Sequence, residues 1–495
     1  MSDKLTHRIF QSRRSGVLLH PTSLPGSSTE GALGEPAFRF IEFLADAGFS
    51  VWQVLPLNPT DAHYSPYQAS SIHAGNGRLI SQRQLTAKPW LSQPMRARIQ
   101  AGRDPSINLM AGLHKDFLDK ASDTEREDYQ RFTLQHSYWL EDYALYSVIK
   151  LITGGTPWWE WPPELRHRDA GTLKILRQGQ ADKMEMYRFE QFVFFEQWQT
   201  LRLHAHARGI ILFGDMPILA AHDSVDVWTH PEHFKLDAAG QPLVVAGVPP
   251  DYFSETGQRW GNPLYSWVTH VAEGFQWWID RLRTQLDLFD LIRLDHFRGF
   301  ESLWEIPAID PTAIGGSWQP APGRELFSML QHTFGDLPLV AEDLGIIPPA
   351  VVRLREEFNL PGMKILQFAF DSNASNPYLP HNHDLCSLVY TGTHDNDTTL
   401  GWHTGLSIPQ QLHVQEYLRY PDGESMPWPL IRAALQSVCP LAMLPMQDLL
   451  ELNSSHRMNT PGTTTGNWQW QFDWNQVPVG LATKLRHLNG LYGRC

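Results

Sequence analysis

The stretch LFDLIRLDHFRGF, residues 288–300, sets a nearly unbroken apolar run, Leu288 to Leu294, against a charged end in which Arg293 and Asp295 stand two residues apart. Residues two apart on a strand share one face, so this pair belongs to one side of one strand. A continuous apolar run, rather than an alternating one, suits a strand covered on both faces, as in a parallel sheet. Seven further runs of this kind follow one another along the chain. They are Gly16 to Leu19, Val51 to Leu57, Ile210 to Phe213, Leu337 to Val340, Met363 to Phe370, Leu388 to Tyr390 and a weaker one at Leu441 to Leu444. Several end in polar or charged residues: HPTSLPG, GDMP, AEDLG and TGTHDND. Helical patterns lie between them. PAFRFIEFLADA at 36–47 stops at Gly48, and Leu326 to Phe334 and Val351 to Phe358 read alike. Eight strands alternating with helices predict an α/β fold, a (β/α)8 TIM barrel.

Such a barrel needs about 250 residues, and the chain has 495. No repeat, charge block or linker divides it, so a single catalytic barrel over residues 1–495 is expected, with large insertions after the second and third strands. One, approximately 65–205, is mainly helical, with amphipathic stretches at Glu125 to Leu151 and Met184 to Arg208. The other, approximately 220–285, is a loop rich in proline and aromatics. Both follow the C-terminal end of a strand, where barrel loops build active sites, so both should wall a cleft.

Composition narrows the function. Apolar residues make up 42% and charged residues 19%, which excludes a disordered or coiled-coil chain. A net charge of −13 repels phosphate backbones, so no nucleic-acid partner is expected. Cys386, Cys439 and Cys495 are far apart and lack CxxC spacing, which suggests neither disulfides nor zinc and suits a reducing cytoplasm. No apolar leader core or membrane-length span appears, so no membrane partner is expected. Tryptophan is over-used, at 19 residues.

Four sets of charged residues fall at strand ends: Asp215, the pair Arg293 and Asp295, the pair Glu342 and Asp343, and the pair His394 and Asp395. Any one could be a helix cap. Together they converge on one rim of a barrel, and three convergent carboxylates suit glycosidic chemistry with retention. Asp295, beside the permanent charge of Arg293, is the natural nucleophile. Glu342, after an apolar run, is the group whose pKa desolvation would raise toward that of a useful acid. His394 and Asp395 could hold sugar hydroxyls and complement positive charge on the ring.

The order GDMP, RLDHFRG, AEDLG, TGTHDND resembles the barrel motifs of the α-amylase clan, in the form seen in 4-α-glucanotransferases of the amylomaltase type, glycoside hydrolase family 77. SGVLLHPTSLPG at 15–26, WQVLPLNPT at 52–60, GVPPDYFSETGQRWGNPLY at 247–265, LPGMKILQFAFD at 360–371 and RMNTPGTTTGNW at 457–468 are similar to segments of that family. The resemblance spans residues 15–468 and implies a (β/α)8 enzyme without organic cofactor or catalytic metal. It implies Asp295 as nucleophile, Glu342 as acid/base and Asp395 as transition-state stabiliser. Asp215, Arg293 and His394 would hold the sugar at the cleavage point. Asp251, Phe253, Gln258 and Trp260 would border the acceptor groove, with Asp371 and Asn467 as further contacts. Where the family often carries Gly and Tyr before SPYQ, this chain reads TDAHYSPYQ, leaving open which of Tyr64 and Tyr67 meets sugar.

The activity implied is transfer of a segment of α-1,4-glucan to the 4-hydroxyl of glucose or of another glucan. Donors would be maltooligosaccharides or glucans derived from starch or glycogen. A retaining α-glucan hydrolase would carry the same carboxylates, and sequence chemistry does not separate the two. A non-catalytic glucan-binding protein leaves Asp295, Glu342 and Asp395 without a reason. A metallohydrolase built on His394, Asp395 and Asp397 lacks a second histidine-rich strand end, and the HxH pairs at 204–206 and 381–383 read as solvated histidines. Trp158, Trp159, Trp161, Trp277, Trp278, Trp468, Trp470 and Trp474 lie in or beside insertions and late loops, to be divided between core and sugar platform.

Overall fold

The computed structural model describes residues 8–26, 32–102, 107–250, 254–345, 347–419 and 423–495. In chain order its strands are β1 (Arg14–Leu18), β2 (Val51–Gln53), β3 (Ile211–Met216), β4 (Val244–Val248), β5 (Gln258–Pro263), β6 (Leu291–Leu294), β7 (Ser302–Pro307), β8 (Ser317–Pro320), β9 (Leu339–Ala341), β10 (Gly362–Ile365), β11 (Ser387–Tyr390) and β12 (Leu441–Pro445). Eight of them form one sheet in the order β10-β11-β12-β1-β2-β3-β6-β9, every pairing parallel. These are the eight apolar runs, in sequence order around a nearly closed TIM barrel.

Between β9 and β10 the ladder gives way to separate links. The Ala341 N–H donates to the Pro361 carbonyl at 2.9 Å. The Asp343 carboxylate accepts the Met363 N–H at 2.8 Å and pairs with Arg355 at 3.2 Å. Asp343, a candidate for chemistry in the sequence, is therefore committed to closing the barrel.

Val51, Phe213, Leu291, Val340, Met363, Leu388 and Leu441 pack together inside the barrel, with Ile9 and Phe10 against them. Two residues further along the strands, on the same face, come Gln53, Asp215, Arg293 and Tyr390. The period of two that builds an apolar floor thus also presents polar groups above it. Gly214 makes room between layers: a Cβ there would fall 2.2 Å from the Phe289 ring.

The stretch 125–151, expected as one helix, is two, Asp123–Gln135 and Ser137–Ile152. The break falls at His136, whose ring packs against Phe132 and Phe195 at 4.6 and 5.1 Å. The long helix Ala181–Ala207 runs beside them. Between β3 and β6 the chain is more ordered than a loop. It carries the helices Val225–Thr229, Trp267–Ala272 and Gln276–Leu288, and also β4 and β5. With β7 and β8 these form a second, antiparallel sheet in the order β5-β4-β7-β8, unforeseen in the sequence.

The tryptophans divide unevenly. Trp158, Trp161, Trp277 and Trp278 are buried, and Trp159, Trp470 and Trp474 pack on the core. Of the eight in question, Trp468 is the one on the wall of the large cavity at the barrel mouth. Among the described residues no helix is long and apolar enough to cross a membrane.

Candidate active site

Pairing between strands continues past their ends and fixes the backbone that carries the carboxylates. Asp215 on β3 is in register with Arg293 on β6, and Leu294 with Ala341 on β9. One residue on, the Asp295 N–H donates to the Met216 carbonyl at 3.1 Å and the Glu342 N–H to the Leu294 carbonyl at 3.0 Å. Asp295 and Glu342 therefore stand side by side at the C-terminal mouth. A cavity of about 1100 Å³ opens there, lined by Asp295, Glu342, Asp395, Arg293, Gln258, Trp260, Asp371 and Asn467, with Tyr67, His296, Asn459 and Trp468. Asp251 and Phe253 lie outside the described residues.

Arg293 organises the floor. Its Nη1 lies 2.9 and 2.8 Å from the two Asp215 oxygens and 2.9 Å from Asp295 Oδ1. Burial works against the guanidinium charge, but Asp215 and Asp295 outweigh it and hold the proton on more firmly than usual. Burial pushes the Asp215 carboxyl pKa up while Arg293 pulls it back. With a guanidinium nitrogen on both its oxygens, we read Asp215 as ionised, the charged partner of Arg293.

Asp215 is 1% exposed and His394 7%, so both sit almost wholly behind the wall. They reach the cavity through Tyr67, whose hydroxyl donates to Asp215 Oδ2 at 2.9 Å and lies 2.8 Å from His394 Nε2. A hydroxyl that gives its proton to Asp215 can only accept from His394, which places a hydrogen on Nε2. The rings of Tyr67 and His394 stack at 5.5 Å, with Trp468 at 5.7 Å from Tyr67. Tyr64 is 46% exposed beneath the Arg78 guanidinium, so the structure puts Tyr67 rather than Tyr64 on the wall.

Glu342 contrasts with its neighbour. Burial pushes its pKa up to about 8, Arg293 opposes, the Asp295 charge adds to the rise, and a hydrogen bond from the His296 N–H to Oε2 at 2.7 Å opposes again. Asp395 is clamped from a distant segment. Asn459 Nδ2 donates to its Oδ1 at 2.7 Å, Arg457 donates to its carbonyl at 2.9 Å, and His394 Nε2 is 3.4 Å from Oδ2.

One raised carboxyl, a second carboxylate beside a fixed positive charge and a third held across an open cavity are the parts of a retaining glycosidic site. The family model for 4-alpha-glucanotransferases, glycoside hydrolase family 77, matches residues 19–476. The chain belongs to that family. This family 77 member is 48% identical to the 4-alpha-glucanotransferase of Thermus thermophilus, over 96% of this chain and 97% of the relative. It is 42% identical to the chloroplastic/amyloplastic 4-alpha-glucanotransferase DPE1 of Arabidopsis thaliana, over 97% and 86%. The structure of the amylomaltase from Streptococcus agalactiae in complex with acarbose matches with a TM-score of 0.92 at 37% identity, covering 97% of this chain and 99% of that one. The chain is a glucan-transferring enzyme, and the hydrolase reading is not favoured.

The remaining sequence candidates of this glucanotransferase are placed as follows. Asp371 Oδ1 accepts from Asn376 at 2.9 Å on the cavity wall. The Asn467 amide is turned into its own loop, accepting the Thr460 N–H at 3.0 Å and donating to Thr463. His204 and His206 are paired with Glu42 and Asp290, and His381 and His383 with Tyr417 and Ser437. Away from the site, His230, Glu232 and His233 bring ligand atoms together. The two imidazoles stack at 5.0 Å and 11°, however, so their in-plane lone pairs lie in separate planes. His296 and Asn459 were not among the sequence candidates. The signal for both was present, since each lies inside a family-like segment, RLDHFRG and RMNTPG.

Proposed function

We propose that this enzyme transfers α-1,4-glucan segments by double displacement with Asp295 as nucleophile, Glu342 as acid/base and Asp395 as stabiliser of the oxocarbenium-like transition state. The observation that carries the assignment is the inequality of two neighbours: Asp295 faces the Arg293 guanidinium, while burial holds the proton on Glu342. In the first step an Asp295 oxygen bonds to C1 of the donor glucose as the C1–O4 bond breaks, and the Glu342 proton moves to the departing O4. In the second, an acceptor O4 bonds to C1 and its proton passes to Glu342, while the Asp295–C1 bond breaks. Two inversions retain the α configuration. The Asp395 charge complements the positive ring in both steps.

Arg293, Asp215 and His394 hold the sugar at the cleavage point, the last two acting largely through Tyr67. Gln258 and Trp260, with Asp251 and Phe253 in the same stretch, border the acceptor groove, and Asp371 and Asn467 complete the wall. The single catalytic barrel over 1–495, walled by the segments near 65–205 and 220–285, works on maltooligosaccharides and on glucans from starch or glycogen, with glucose as an acceptor. Free cysteines throughout suit a cytoplasmic place in maltodextrin or glycogen metabolism.

Maltotriose as sole substrate tests the assignment. Free glucose together with maltotetraose and longer chains is expected. Shortening without lengthening overturns transfer in favour of hydrolysis, and no change overturns both.

A further inference from the structure

The backbone at His296, directly after the nucleophile, is left-handed, with φ 49° and ψ 53°, a conformation uncommon for a residue with a side chain. This turn makes two contacts at once. The His296 N–H is turned to Glu342 Oε2 at 2.7 Å, and the next N–H, of Phe297, to the Glu342 carbonyl at 3.1 Å. With Oε2 occupied by a donor, the catalytic proton belongs on Oε1, the oxygen left free for the glycosidic oxygen.

The side chain turns the other way. The imidazole stands at 88° to the Trp260 indole with 4.9 Å between ring centres. Its Cδ2 rests over Gly299, where a Cβ would come within 3.2 Å of it. Its Nε2 is buried with no hydrogen-bond partner in the structure. Burial lowers its pKa to about 4, so the ring is neutral in ordinary buffers. Trp260 is fixed by a second contact as well, its Nε1–H donating to Gln258 Oε1 at 3.2 Å. His296, Trp260, Gln258, Asp295 and Glu342 all line the one cavity.

We propose that His296 is a positioning residue that sets the acceptor-side indole of Trp260 in register with the acid/base Glu342, a role that rests on Glu342 being the acid/base. One residue holds the acid/base through its backbone and the indole through its ring. An acceptor sugar laid on the indole is thereby presented to Oε1. A water molecule gains nothing from that platform, so His296 favours transfer over hydrolysis.

The test is His296→Asn, since asparagine accepts the left-handed conformation and keeps the N–H while removing the ring. With maltotriose as donor and labelled glucose as acceptor, the acceptor KM should rise about threefold to tenfold. The hydrolytic share of turnover should rise with it, while the basic limb of the pH profile stays in place. His296→Gly, which also keeps the N–H and the left-handed turn, should behave alike and guards against a misfolded first variant. A double-mutant cycle with Trp260→Ala should be non-additive in acceptor KM, because the ring acts through the indole. An unmoved acceptor KM, or strict additivity, overturns the proposal. Failure of the Glu342 assignment itself would show separately, as retained turnover in Glu342→Gln with His296 intact.

Discussion

A single carboxyl kept protonated beside a second that faces a guanidinium is the chemistry of this site at the scale of the residue. As the proposed acid/base, Glu342 must carry its proton to begin a turnover, so kcat/KM should fall as pH rises through about 8. The groups facing it are Arg293, Asp295, Asp343 and the His296 N–H. The same shift has a stability consequence. A carboxyl raised in the folded state binds its proton more tightly there than in the unfolded chain, so its contribution to stability is lost as pH rises through the folded value. Glu342→Gln should therefore melt at or above the wild-type temperature at pH 8 while turnover drops by about 10³ or more, and Asp295→Asn should lose a similar amount. Near-normal activity in either variant contradicts the roles assigned to Glu342 and Asp295. Asn459→Ala should lower kcat about tenfold or more with little change in melting, because it frees Asp395 without disturbing the core. The placement of Asp295 and Glu342 at the barrel mouth was legible because each ends an apolar run. The work of Asn459 was not, since it lies 64 residues from the carboxylate it grips and meets it only through loop geometry.

At the scale of the element, the eight barrel strands were legible because burial on both faces leaves an unbroken apolar run. Their lengths were less so. Of the run Met363 to Phe370, only Met363 to Ile365 belongs to the strand, and Leu366–Phe368 is a 3-10 turn, because Leu366, Ala369 and Phe370 are apolar for packing in the core rather than for pairing in the sheet. The second sheet carries no comparable signal. β5 reads QRWGNP and β8 reads SWQP, with glycine, proline and largely unburied positions where a pattern would need alternation. Tight spacing inside the barrel also sets a prediction. Gly214→Ala places a methyl 2.2 Å from the Phe289 ring, so the fold should lose about 1–3 kcal/mol, read as a lower melting temperature. Turnover should fall with it, because Asp215 is the next residue on β3. A melting temperature equal to wild type would mean that Phe289 moves aside freely.

Across the whole molecule, the excess of tryptophan turns out to be mostly architecture. Trp158, Trp161, Trp198, Trp228 and Trp278 are among the largest fully buried side chains, while Trp260 and Trp468 meet the cavity. The open cavity thus accounts for a minority of the indoles, and sequence alone does not separate a core ring from a cavity wall in so large and amphipathic a side chain. The C-terminal segment is tied into the same core. Arg494, 1% exposed, donates to the carbonyls of Arg14, Leu435, Ser437 and Cys439, joining the start of β1, the end of helix Trp428–Gln436 and the approach to β12. Arg494→Ala takes the guanidinium from the Arg14 and Cys439 carbonyls, while Arg13 still donates to those of Leu435 and Ser437, and should cost about 2 kcal/mol or more in a denaturant titration, with catalytic constants otherwise normal. Little change would show that water replaces the guanidinium.

The side-chain fastening between β9 and β10 ties catalysis to the mechanical integrity of the ring. Glu342 follows β9 directly, and the next residue, Asp343, grips the Met363 amide across the gap. A barrel gives way first where its ladder is thinnest, in a local opening rather than a global one. The proposed proton donor therefore stands beside the joint expected to open first. Amide exchange at Met363 should outpace that of its neighbours within the ladders, and on gentle heating activity should fade while the remaining seven strand pairings still hold, so that the enzyme reports the loosening of its own frame before it unfolds.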